Sequence, residues 1–367
     1  RNFSFGYTTD MRLMELASLD HPLLKDLTLR APGTYHHSIV TGTLVKGGAE
    51  AIGARAVLAI TGRRAKVLGL CDGDSRVVTL TAARFAAGTV HDLADPLSGV
   101  RARALNLAIG EPAPFGCETA AVVLAKLARL LPAALVAPLA DAEVGDLAQW
   151  AARHDLFVLD AGDVFQYETT AARTLARVSE ARVPLAGAED TRIIAFRPLD
   201  GGLEHLAIVI GAPDAAQPVL TRIHSECFTG DLLGSLRCDC GEQLRGAIAE
   251  IAAAGGGVLL YLAQEGRGIG LVNKLRAYEL QDRGFDTIDA NEQLGFDADE
   301  RVYLPAARML AALGYSRVRL LTNNPDKVRA LETCGVTVAD RVQHAFPANK
   351  HNERYLAAKA RRGGHLF

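Results

Sequence analysis

The chain has 367 residues, enough for two or three domains that each bury a core. Hydrophobic residues make up 49%, charged residues 22%, and the formal net charge is -2, which is typical of a soluble globular protein. A general nucleic-acid or membrane-surface binder would carry a basic excess, so we expect neither partner. No run of about 18 apolar residues and no signal-peptide pattern is present, which favours a cytoplasmic location.

The first 55 residues differ from the rest of the chain. Residues 14–54 resemble the opening helices of an HD-type phosphohydrolase domain, but the His-Asp pair that supplies metal ligands in that family is absent downstream. We therefore expect residues 1–55 to be a helical N-terminal segment without a metal site, in which His36 and His37 are surface or capping residues. The non-Met first residue is consistent with a truncated start.

Residues 56–187 alternate short β-like runs with helical ones and predict a smaller mixed α/β domain. The runs 66–70 and 75–80 flank Asp72-Gly73-Asp74 and predict a hairpin. Helical periodicity covers 119–131 and 141–154, and 157–159 predicts a short strand. No combination of nucleophile, base and metal ligands is recognisable here, so we expect this domain to be noncatalytic.

Residues 188–367 predict the largest unit, an α/β domain whose sheet is flanked by helices, and the chain as a whole is of the mixed α/β class. Apolar runs at 193–196, 206–210, 219–223, 258–262 and 317–321 predict strands. A helix is expected over 241–254, and a Gly-rich loop at 264–270 opens another that extends to 281.

Three of the six cysteines, Cys227, Cys238 and Cys240, fall within 22 residues. Thiolates so close together suit a soft divalent metal, usually zinc. A structural zinc normally has four protein ligands, whereas a catalytic zinc has three and an open position for water. No fourth cysteine completes a CxxC pair, so we interpret the cluster as an open, water-bearing zinc site. Two alternatives remain: a closed zinc with His224 or Cys334 as fourth ligand, or three reduced cysteines that only pack.

Phosphate-binding features follow two of the predicted strands. Gly266, Gly268 and Gly270 lie between a strand and a helix, where backbone N–H groups can face a phosphate, and Arg267 adds positive charge. Lys327 follows another strand and is either a second phosphate contact or a solvated lysine at a helix start. Asp299 and Arg301, two positions apart, are either an acid and a guanidinium at a reacting centre or a solvated helix start.

Taken together, the motifs of residues 188–367 resemble GTP cyclohydrolase II. They are RxHSECxTGDxxxSLRCDCGxQL, QEGRGIGL, LQDxGFDTxxAN, LGFxxDER, LLTNNPxK and NExYLxxKxxxxGHL, in that order. The resemblance implies zinc-dependent opening of GTP at C8 with release of formate and pyrophosphate, which gives 2,5-diamino-6-ribosylamino-4(3H)-pyrimidinone 5′-phosphate in the first step of riboflavin synthesis. It also implies a homodimer, and Mg²⁺ bound to the GTP triphosphate.

The same resemblance assigns roles to individual residues. Cys227, Cys238 and Cys240 match the zinc ligands. Asp299 matches a general base, Tyr278 a catalytic tyrosine that could orient water at the zinc, and Arg301 a proposed nucleophile toward the α-phosphorus. Because a guanidinium stays protonated in proteins, charge stabilisation is the easier role for Arg301. The positions that match GTP contacts are Arg222, Ile223, His224, Ser225, Glu226, Gln243, Glu265, Gly266, Arg267, Thr287, Thr322 and Lys327.

Two departures limit the resemblance. Many family members carry a basic residue just before QEGR, where this chain has Ala263. Many bacterial relatives also carry a preceding dihydroxybutanone-phosphate synthase domain, but residues 56–187 lack its acidic loop and its RPGH and HTE stretches, so we expect no second activity. Two other functions remain open: a GTP-sensing zinc module without turnover, and a related purine-nucleotide hydrolase.

Overall fold

The computed structural model describes residues 56–73, 76–82, 85–100, 102–138, 146–153 and 156–364. The helical segment expected over residues 1–55, with His36 and His37, lies outside the described residues. None of the helices in the described ranges combines the length and the apolar character needed to cross a membrane.

The smaller domain is built on a four-stranded antiparallel sheet in the order β3-β2-β1-β4. Leu58, Ile60, Leu80 and Leu93 are fully buried in its core. Its strands are β1 (Val57–Thr61), β2 (Val77–Thr81), β3 (Ala108–Gly110) and β4 (Ala133–Val136). Its helices, and those that lead to the next domain, are α1 (Gly62–Val67), α2 (Ala87–Ala94), a short 3-10 turn (Ala102–Leu105), α3 (Cys117–Leu127), α4 (Leu147–Arg153) and α5 (Ala161–Arg173).

The larger domain contains a seven-stranded sheet in the order β11-β10-β8-β9-β7-β6-β5. The four strands from β11 to β9 are parallel to their neighbours, and the pairs β9-β7, β7-β6 and β6-β5 are antiparallel. The strands are β5 (Ala176–Arg182), β6 (Thr191–Arg197), β7 (His205–Gly211), β8 (Val219–Ser225), β9 (Gly256–Leu262), β10 (Arg317–Leu321) and β11 (Thr337–Val342). The edge strand β5 belongs to this sheet although it precedes residue 188, where the sequence places the start of the domain.

Helices cover both faces of the larger sheet, because its central strands alternate apolar side chains between two cores. Val209 of β7 packs in one core with Leu310, and Ile210, the next residue, packs in the other with Ile251. The α-helices of this domain are α6 (Cys240–Ala253), α7 (Leu271–Asp282), α8 (Thr287–Gln293), α9 (Leu304–Ala312), α10 (Pro325–Thr333) and α11 (Glu353–Gly363). Two shorter helical segments are a π-turn (Phe228–Leu232) and a 3-10 turn (Glu265–Gly268).

The mixed α/β class and the helix-flanked sheet are confirmed, but two predicted strands are wrong. Residues 66–67 belong to α1, because the Thr61 side chain caps that helix by accepting a hydrogen bond from Arg64 N, and Gly69 with φ +70° follows its end. Residues 157–159 form no strand: they are exposed and lead to Asp160, which caps α5. Asp74 of the expected hairpin turn and residues 141–145 and 154 of an expected helix lie outside the described residues.

The parallel arrangement of β9, β8 and β10 positions the candidate site. Adjacent parallel strands end at the same edge of a sheet, and ligands of open α/β sheets bind beyond these carboxyl ends. β8 leads to Cys227, β9 leads to the Gly-rich loop, and β10 leads to Thr322 and Lys327. Three motifs that are far apart in the sequence therefore meet at one edge.

Gly257 tests the close packing of this sheet. A Cβ atom there would lie 2.3 Å from Leu220 O and 2.9 Å from Ile251 Cγ2. Because strand backbone cannot yield easily, we expect Gly257→Ala to lower the free energy of unfolding by about 1–3 kcal/mol in urea titrations. Gly88→Ala in α2, where a Cβ meets no described residue within 4 Å, is the control and should not destabilise the protein; it should stabilise it by up to about 1 kcal/mol, because alanine favours a helix more than glycine does. Equal effects of the two substitutions would contradict the packing argument.

Candidate active site

An open cleft lies beyond the carboxyl ends of β8, β9 and β10, with a volume of about 1080 Å³ that includes open solvent. Of the expected site residues, Ile223, Gly268, Gly270 and Asp299 do not line the cleft and all the others do. The expected residues that line it are Arg222, His224, Ser225, Glu226, Cys227, Cys238, Cys240, Gln243, Glu265, Gly266, Arg267, Tyr278, Thr287, Arg301, Thr322 and Lys327.

The three clustered cysteines converge at one side of the cleft. Cys227 follows β8, whereas Cys238 and Cys240 lie at the start of α6, and their sulfurs are all within 4.8 Å of one another. The Sγ atoms of Cys227 and Cys238 are 3.8 Å apart. Two sulfurs bound tetrahedrally to one zinc at about 2.3 Å would be about 3.8 Å apart. The cluster can therefore hold a metal ion.

Neither alternative fourth ligand joins this cluster. Among the described residues, the group that could hold a metal contains the three cysteines and no other His, Cys, Asp or Glu. His224 Nε2 instead lies 3.1 Å from both carboxylate oxygens of Asp231. Cys334 packs against the hydrophobic core that contains Leu310. The donor set is thus three thiols, as expected for a site with one open position.

A backbone N–H group and an ammonium group contact the Cys227 sulfur. Gly230 N donates to it at 3.3 Å, and the Lys274 ammonium lies 3.0 Å from it. The pKa of the Cys227 thiol is well below its ordinary value, because the thiols of Cys238 and Cys240 hydrogen-bond to it and Lys274 adds positive charge. A Cβ at position 230 would lie 2.8 Å from Cys238 Sγ and 3.1 Å from Cys227 Sγ, so glycine leaves the thiols room to converge.

Asp231 fixes the segment around the first cysteine. Its Oδ2 atom accepts hydrogen bonds from the backbone N–H of Cys227 at 3.0 Å and from the Tyr261 hydroxyl at 3.0 Å. The His224 ring stacks on Tyr261 at 5.6 Å between centroids. Burial lowers the pKa of His224 despite its contact with Asp231, which favours a neutral imidazole. The carboxylate thereby connects β8, β9 and the segment that begins at Cys227.

The Gly-rich loop has the backbone geometry that its glycines predict. Gly266, Gly268 and Gly270 have φ values of +65°, +98° and +84°, and Arg267 has φ +63°. A left-handed conformation is costly for arginine, and such strain often accumulates at functional sites. Arg267 Nη1 donates to Ala298 O at 3.2 Å, which ties this loop to the segment that carries Asp299.

Glu265 connects the Gly-rich loop to the segment that follows Cys227. Its Oε1 atom accepts from Gly266 N and from the Lys274 ammonium, both at 2.8 Å, and its Oε2 atom accepts from Phe228 N at 2.6 Å. The side chain is 3% exposed. Both oxygens are therefore engaged in joining the Gly-rich loop to the residue after Cys227.

Arg222 is held in the wall of the cleft with its guanidinium fixed. It donates to Leu321 O at 2.8 Å and to Gln243 Oε1 at 2.5 Å. Burial lowers its pKa to about 10, so it remains charged at neutral pH. Arg222 Nε, His224 Nδ1 and Ser225 Oγ are buried without a hydrogen-bond partner among the described residues. Unpartnered polar atoms of this kind are available to a polar ligand in the cleft.

The end of β10 contributes a second cation. Lys327 is 7% exposed, and its Nζ atom donates to the Ile223 carbonyl at 3.1 Å. The Ile223 side chain lies in the hydrophobic core, so this residue faces the site through its backbone. Thr322 Oγ1 accepts from Asn324 N at 3.0 Å and shapes the turn before α10. Lys327 is therefore a buried cation at the cleft.

Asp299 and Arg301 form a side-chain pair at the rim of the cleft. Arg301 Nε donates to Asp299 Oδ1 at 2.7 Å, and Nη2 donates to Oδ2. Burial disfavours the charge of Asp299, but Arg301 outweighs it and lowers the pKa of the carboxyl. Burial likewise opposes the charge of Arg301, but Tyr303 and Asp299 outweigh it and raise the pKa of the guanidinium. Asp299 is thus an ionised but weak base, and Arg301 stays protonated.

The sequence did not identify Lys274, although it contacts both Cys227 and Glu265. It lies four residues before Tyr278 on α7, so the two side chains share a helix face, and this spacing was the available signal. Tyr278 faces the segment that follows Cys227, with its hydroxyl 3.3 Å from Thr229 Oγ1. Thr287, the first residue of α8, accepts from Gln281 Nε2 at 3.4 Å. Other cleft residues that the sequence did not single out are Arg237, Ile269, Ala277, Gln281, Asn291, Asn323, Asn324, His344 and Tyr355.

Ala263, where many family members have a basic residue, contacts its surroundings through its backbone. Its N–H donates to His205 Nδ1 at 3.1 Å, and its carbonyl accepts from Arg129 Nη2 at 2.7 Å. Arg129 comes from the smaller domain and does not line the cleft. No side-chain charge therefore enters the cleft from position 263.

Known proteins resemble this chain over much of its length. Residues 176–343 match the family model described as GTP cyclohydrolase II. A GTP cyclohydrolase-2 from Azospirillum brasilense is 61% identical over 324 residues, which cover 86% of this chain and 82% of that protein. A GTP cyclohydrolase-2 from Pseudomonas aeruginosa is 60% identical over 172 residues, which cover 47% of this chain and 84% of the relative.

A third relative is the riboflavin biosynthesis protein RibBA of Synechocystis sp., which is 44% identical over 257 residues, covering 68% of this chain and 46% of that protein. The Azospirillum relative aligns well beyond residues 176–343, so its similarity also includes part of the smaller domain. The 61% identity of the Azospirillum relative and its coverage of 86% of this chain establish the family. The chain belongs to the GTP cyclohydrolase II family of hydrolases.

Proposed function

We propose that this enzyme uses zinc to hydrolyse GTP at C8 of the guanine ring, in the first step of riboflavin biosynthesis. Formate and pyrophosphate leave, and 2,5-diamino-6-ribosylamino-4(3H)-pyrimidinone 5′-phosphate remains. The observation that carries the proposal is the position of three converging thiols in the wall of the same cleft as Arg222, Arg267 and Lys327. A hydrolytic centre and a polyanion-binding surface thus share one cavity.

The three-thiol donor set fits zinc. Thiolates are soft ligands, and the 3.8 Å separation of Cys227 Sγ and Cys238 Sγ matches tetrahedral coordination. Zinc with three protein ligands supplies hydroxide near neutral pH by lowering the pKa of a coordinated water. Lys274, 3.0 Å from Cys227 Sγ, offsets the negative charge of the thiolates. A reducing compartment such as the cytoplasm is the matching location, because all six cysteines are free thiols.

The cations of the cleft hold the triphosphate. Arg222 and Lys327 are nearly fully buried, where a charge interacts with phosphate more strongly than it would in water. Arg267 adds a guanidinium from the Gly-rich loop. Mg²⁺ bound to GTP as part of the substrate would neutralise further charge, as phosphoryl transfer generally requires. The remaining polar residues of the cleft contact the rest of the nucleotide, and they are His224, Ser225, Glu226, Gln243, Glu265, Gly266, Thr287 and Thr322. Ile223, which does not line the cleft, takes part through its carbonyl, which accepts a hydrogen bond from Lys327 Nζ.

Arg301 stabilises the charge that develops on the α-phosphate. Its raised pKa and its pairing with Asp299 keep the guanidinium protonated, so it is a poor nucleophile and a good electrostatic partner. Asp299 orients Arg301 and accepts a proton once substrate charge draws the guanidinium away from it. Tyr278 lies between Thr229 and the ammonium of Lys274 and orients water at the metal-binding side of the cleft.

A GTP-sensing module without turnover is the competing function. Asp299, Arg301 and the three cysteines are all present and paired or clustered, which favours turnover. Purified protein incubated with GTP, zinc and magnesium should release formate and pyrophosphate in a ratio of about one to one. Tight GTP binding without formate would support the sensor, and formate without pyrophosphate would support a related hydrolase with a different product.

Cys238→Ser tests the metal ligands. We expect zinc content below one ion per chain and a fall in formate release of at least about 100-fold, since even indirect partners of metal ligands contribute 10–100-fold. GTP affinity should persist, because Arg222 and Lys327 are unchanged. Cys117→Ser removes an exposed cysteine at the start of α3 and is the matched control. Full formate release by Cys238→Ser would contradict the metal assignment.

Asp299→Asn tests the rim pair. The amide keeps the size of the side chain but loses its charge and its basicity, so we expect kcat to fall roughly 100-fold with KM for GTP within a few-fold. Steady-state formate release measures both constants. Asp340→Asn, which neutralises an exposed carboxylate near Arg319, should leave both unchanged. A rise in KM at constant kcat would instead assign Asp299 to substrate binding.

We also propose that the enzyme is a homodimer, joined through the apolar segment that follows Cys227. Leu232, Leu233 and Leu236 are 70%, 65% and 58% exposed, which is unusual for adjacent leucines. Leu232→Asp combined with Leu233→Asp should convert the protein from dimer to monomer in sedimentation velocity experiments. Leu199→Asp, at a separate position that is 80% exposed, should leave the dimer intact. A monomeric wild-type protein would refute the proposal.

A further inference from the structure

The segment that carries Asp299 and Arg301 has no regular secondary structure to hold it in place. It connects α8 to α9, and residues 297–303 form no helix or strand. The larger domain holds it through Arg267, whose carbonyl accepts from Glu300 N at 3.1 Å and whose Nη1 donates to Ala298 O at 3.2 Å, and through Gln264 Nε2, which donates to Val302 O at 2.6 Å. These backbone ties leave the acidic side chains of the segment to be fixed by other partners.

Three carboxylates crowd this segment, at Asp297, Asp299 and Glu300. Like charges this close repel one another, and each could compete for the same guanidinium. Arg301 pairs with Asp299, which leaves Asp297 and Glu300 to be neutralised from elsewhere. Arg301 can therefore stay paired with Asp299 only if other cations bind the carboxylates of Asp297 and Glu300.

The smaller domain supplies the missing cations. Lys126 of α3 lies 2.7 Å from Glu300 Oε1 and 3.7 Å from Asp297 Oδ2. Arg63 of α1 lies 2.6 Å from Asp297 Oδ1. Lys126 and Glu300 are only 22% and 21% exposed, so water screens this pair less than a surface pair. Glu300 Oε1, the atom that Lys126 contacts, also accepts a hydrogen bond from Asp297 N at 2.7 Å. Lys126 therefore binds an oxygen that already stabilises the turn between Asp297 and Glu300.

Backbone and packing contacts reinforce these ion pairs. The Thr61 hydroxyl donates to Gly295 O at 2.8 Å, and Arg64 Nη1 donates to Gln293 O at 3.2 Å. Leu131 of the smaller domain packs in one buried cluster with Leu294 and Phe296. The smaller domain therefore contacts the segment by charge, by hydrogen bonds and by apolar packing, just before the rim pair.

We propose that Lys126 is a positioning residue for catalysis: by occupying Glu300 it keeps Arg301 paired with Asp299, and directed at the cleft, until GTP binds. This gives the smaller domain a role in the reaction of the larger one, without a catalytic group of its own. The inference rests on the proposed roles of Asp299 and Arg301. It assigns no substrate contact to Lys126, which does not line the main cleft.

The test compares Lys126→Met, which keeps the length of the side chain, with Lys126→Arg, which keeps its charge. Lys126→Met should lower kcat for formate release about tenfold with KM for GTP within twofold, since small displacements of catalytic groups cost rate rather than binding. Lys126→Arg should restore most of the rate. Arg103→Ala removes a contact with Gly69 O inside the smaller domain and should leave kcat unchanged.

A second measurement does not depend on turnover. In hydrogen exchange, backbone amides of residues 295–303 should exchange faster in Lys126→Met, about tenfold in rate, while those of β8 and β9 and the zinc content stay as in wild type. Wild-type formate release is measured first, so loss of the proposed function is distinguished from loss of this inference. Wild-type kcat in Lys126→Met, no rescue by Lys126→Arg, or exchange that rises across the whole smaller domain would each overturn the positioning role.

Discussion

The parallel pairing of β9, β8 and β10 is the constraint on which the site depends. Because these strands run in one direction, the residues that follow them meet beyond one edge of the sheet. The thiol of Cys227, the Gly-rich loop and the ammonium of Lys327 are thereby brought to one cleft. Antiparallel pairing would place these motifs at opposite ends, so the chemistry follows directly from the topology of the sheet.

Two buried carboxylates convert this meeting point into a defined geometry. Asp231 fixes the backbone at Cys227 and the ring of His224, and Glu265 joins the Gly-rich loop to the residue after Cys227 and to Lys274. Each carboxylate accepts several hydrogen bonds, so losing either would leave buried donors unpaired. The segment that carries Cys227 and the Gly-rich loop are therefore mechanically connected, so a displacement of one acts on the other.

Features set by residues close together in the sequence could be predicted, whereas contacts between residues far apart in the sequence could not. The spacing of Cys227, Cys238 and Cys240 indicated their cluster, and three glycines between a predicted strand and a predicted helix indicated the Gly-rich loop. The strand predicted at 66–70 was wrong because residues 66 and 67 belong to a helix that the Thr61 side chain caps. The ion pair between Lys126 and Glu300 joins residues 174 positions apart, and no local pattern can indicate such a contact. The engagement of both oxygens of Glu265 was likewise visible only in three dimensions.

X-ray absorption at the zinc edge, on the purified protein without substrate, tests the three-thiolate centre most directly. We expect about one zinc per chain, with three sulfur ligands at about 2.3 Å and one lighter oxygen ligand at about 2.0 Å. The sulfur shell would come from Cys227, Cys238 and Cys240 and the lighter ligand from water. A shell of four sulfurs, or an imidazole signature in place of the oxygen, would mean a closed structural site and would contradict a hydrolytic role for the metal.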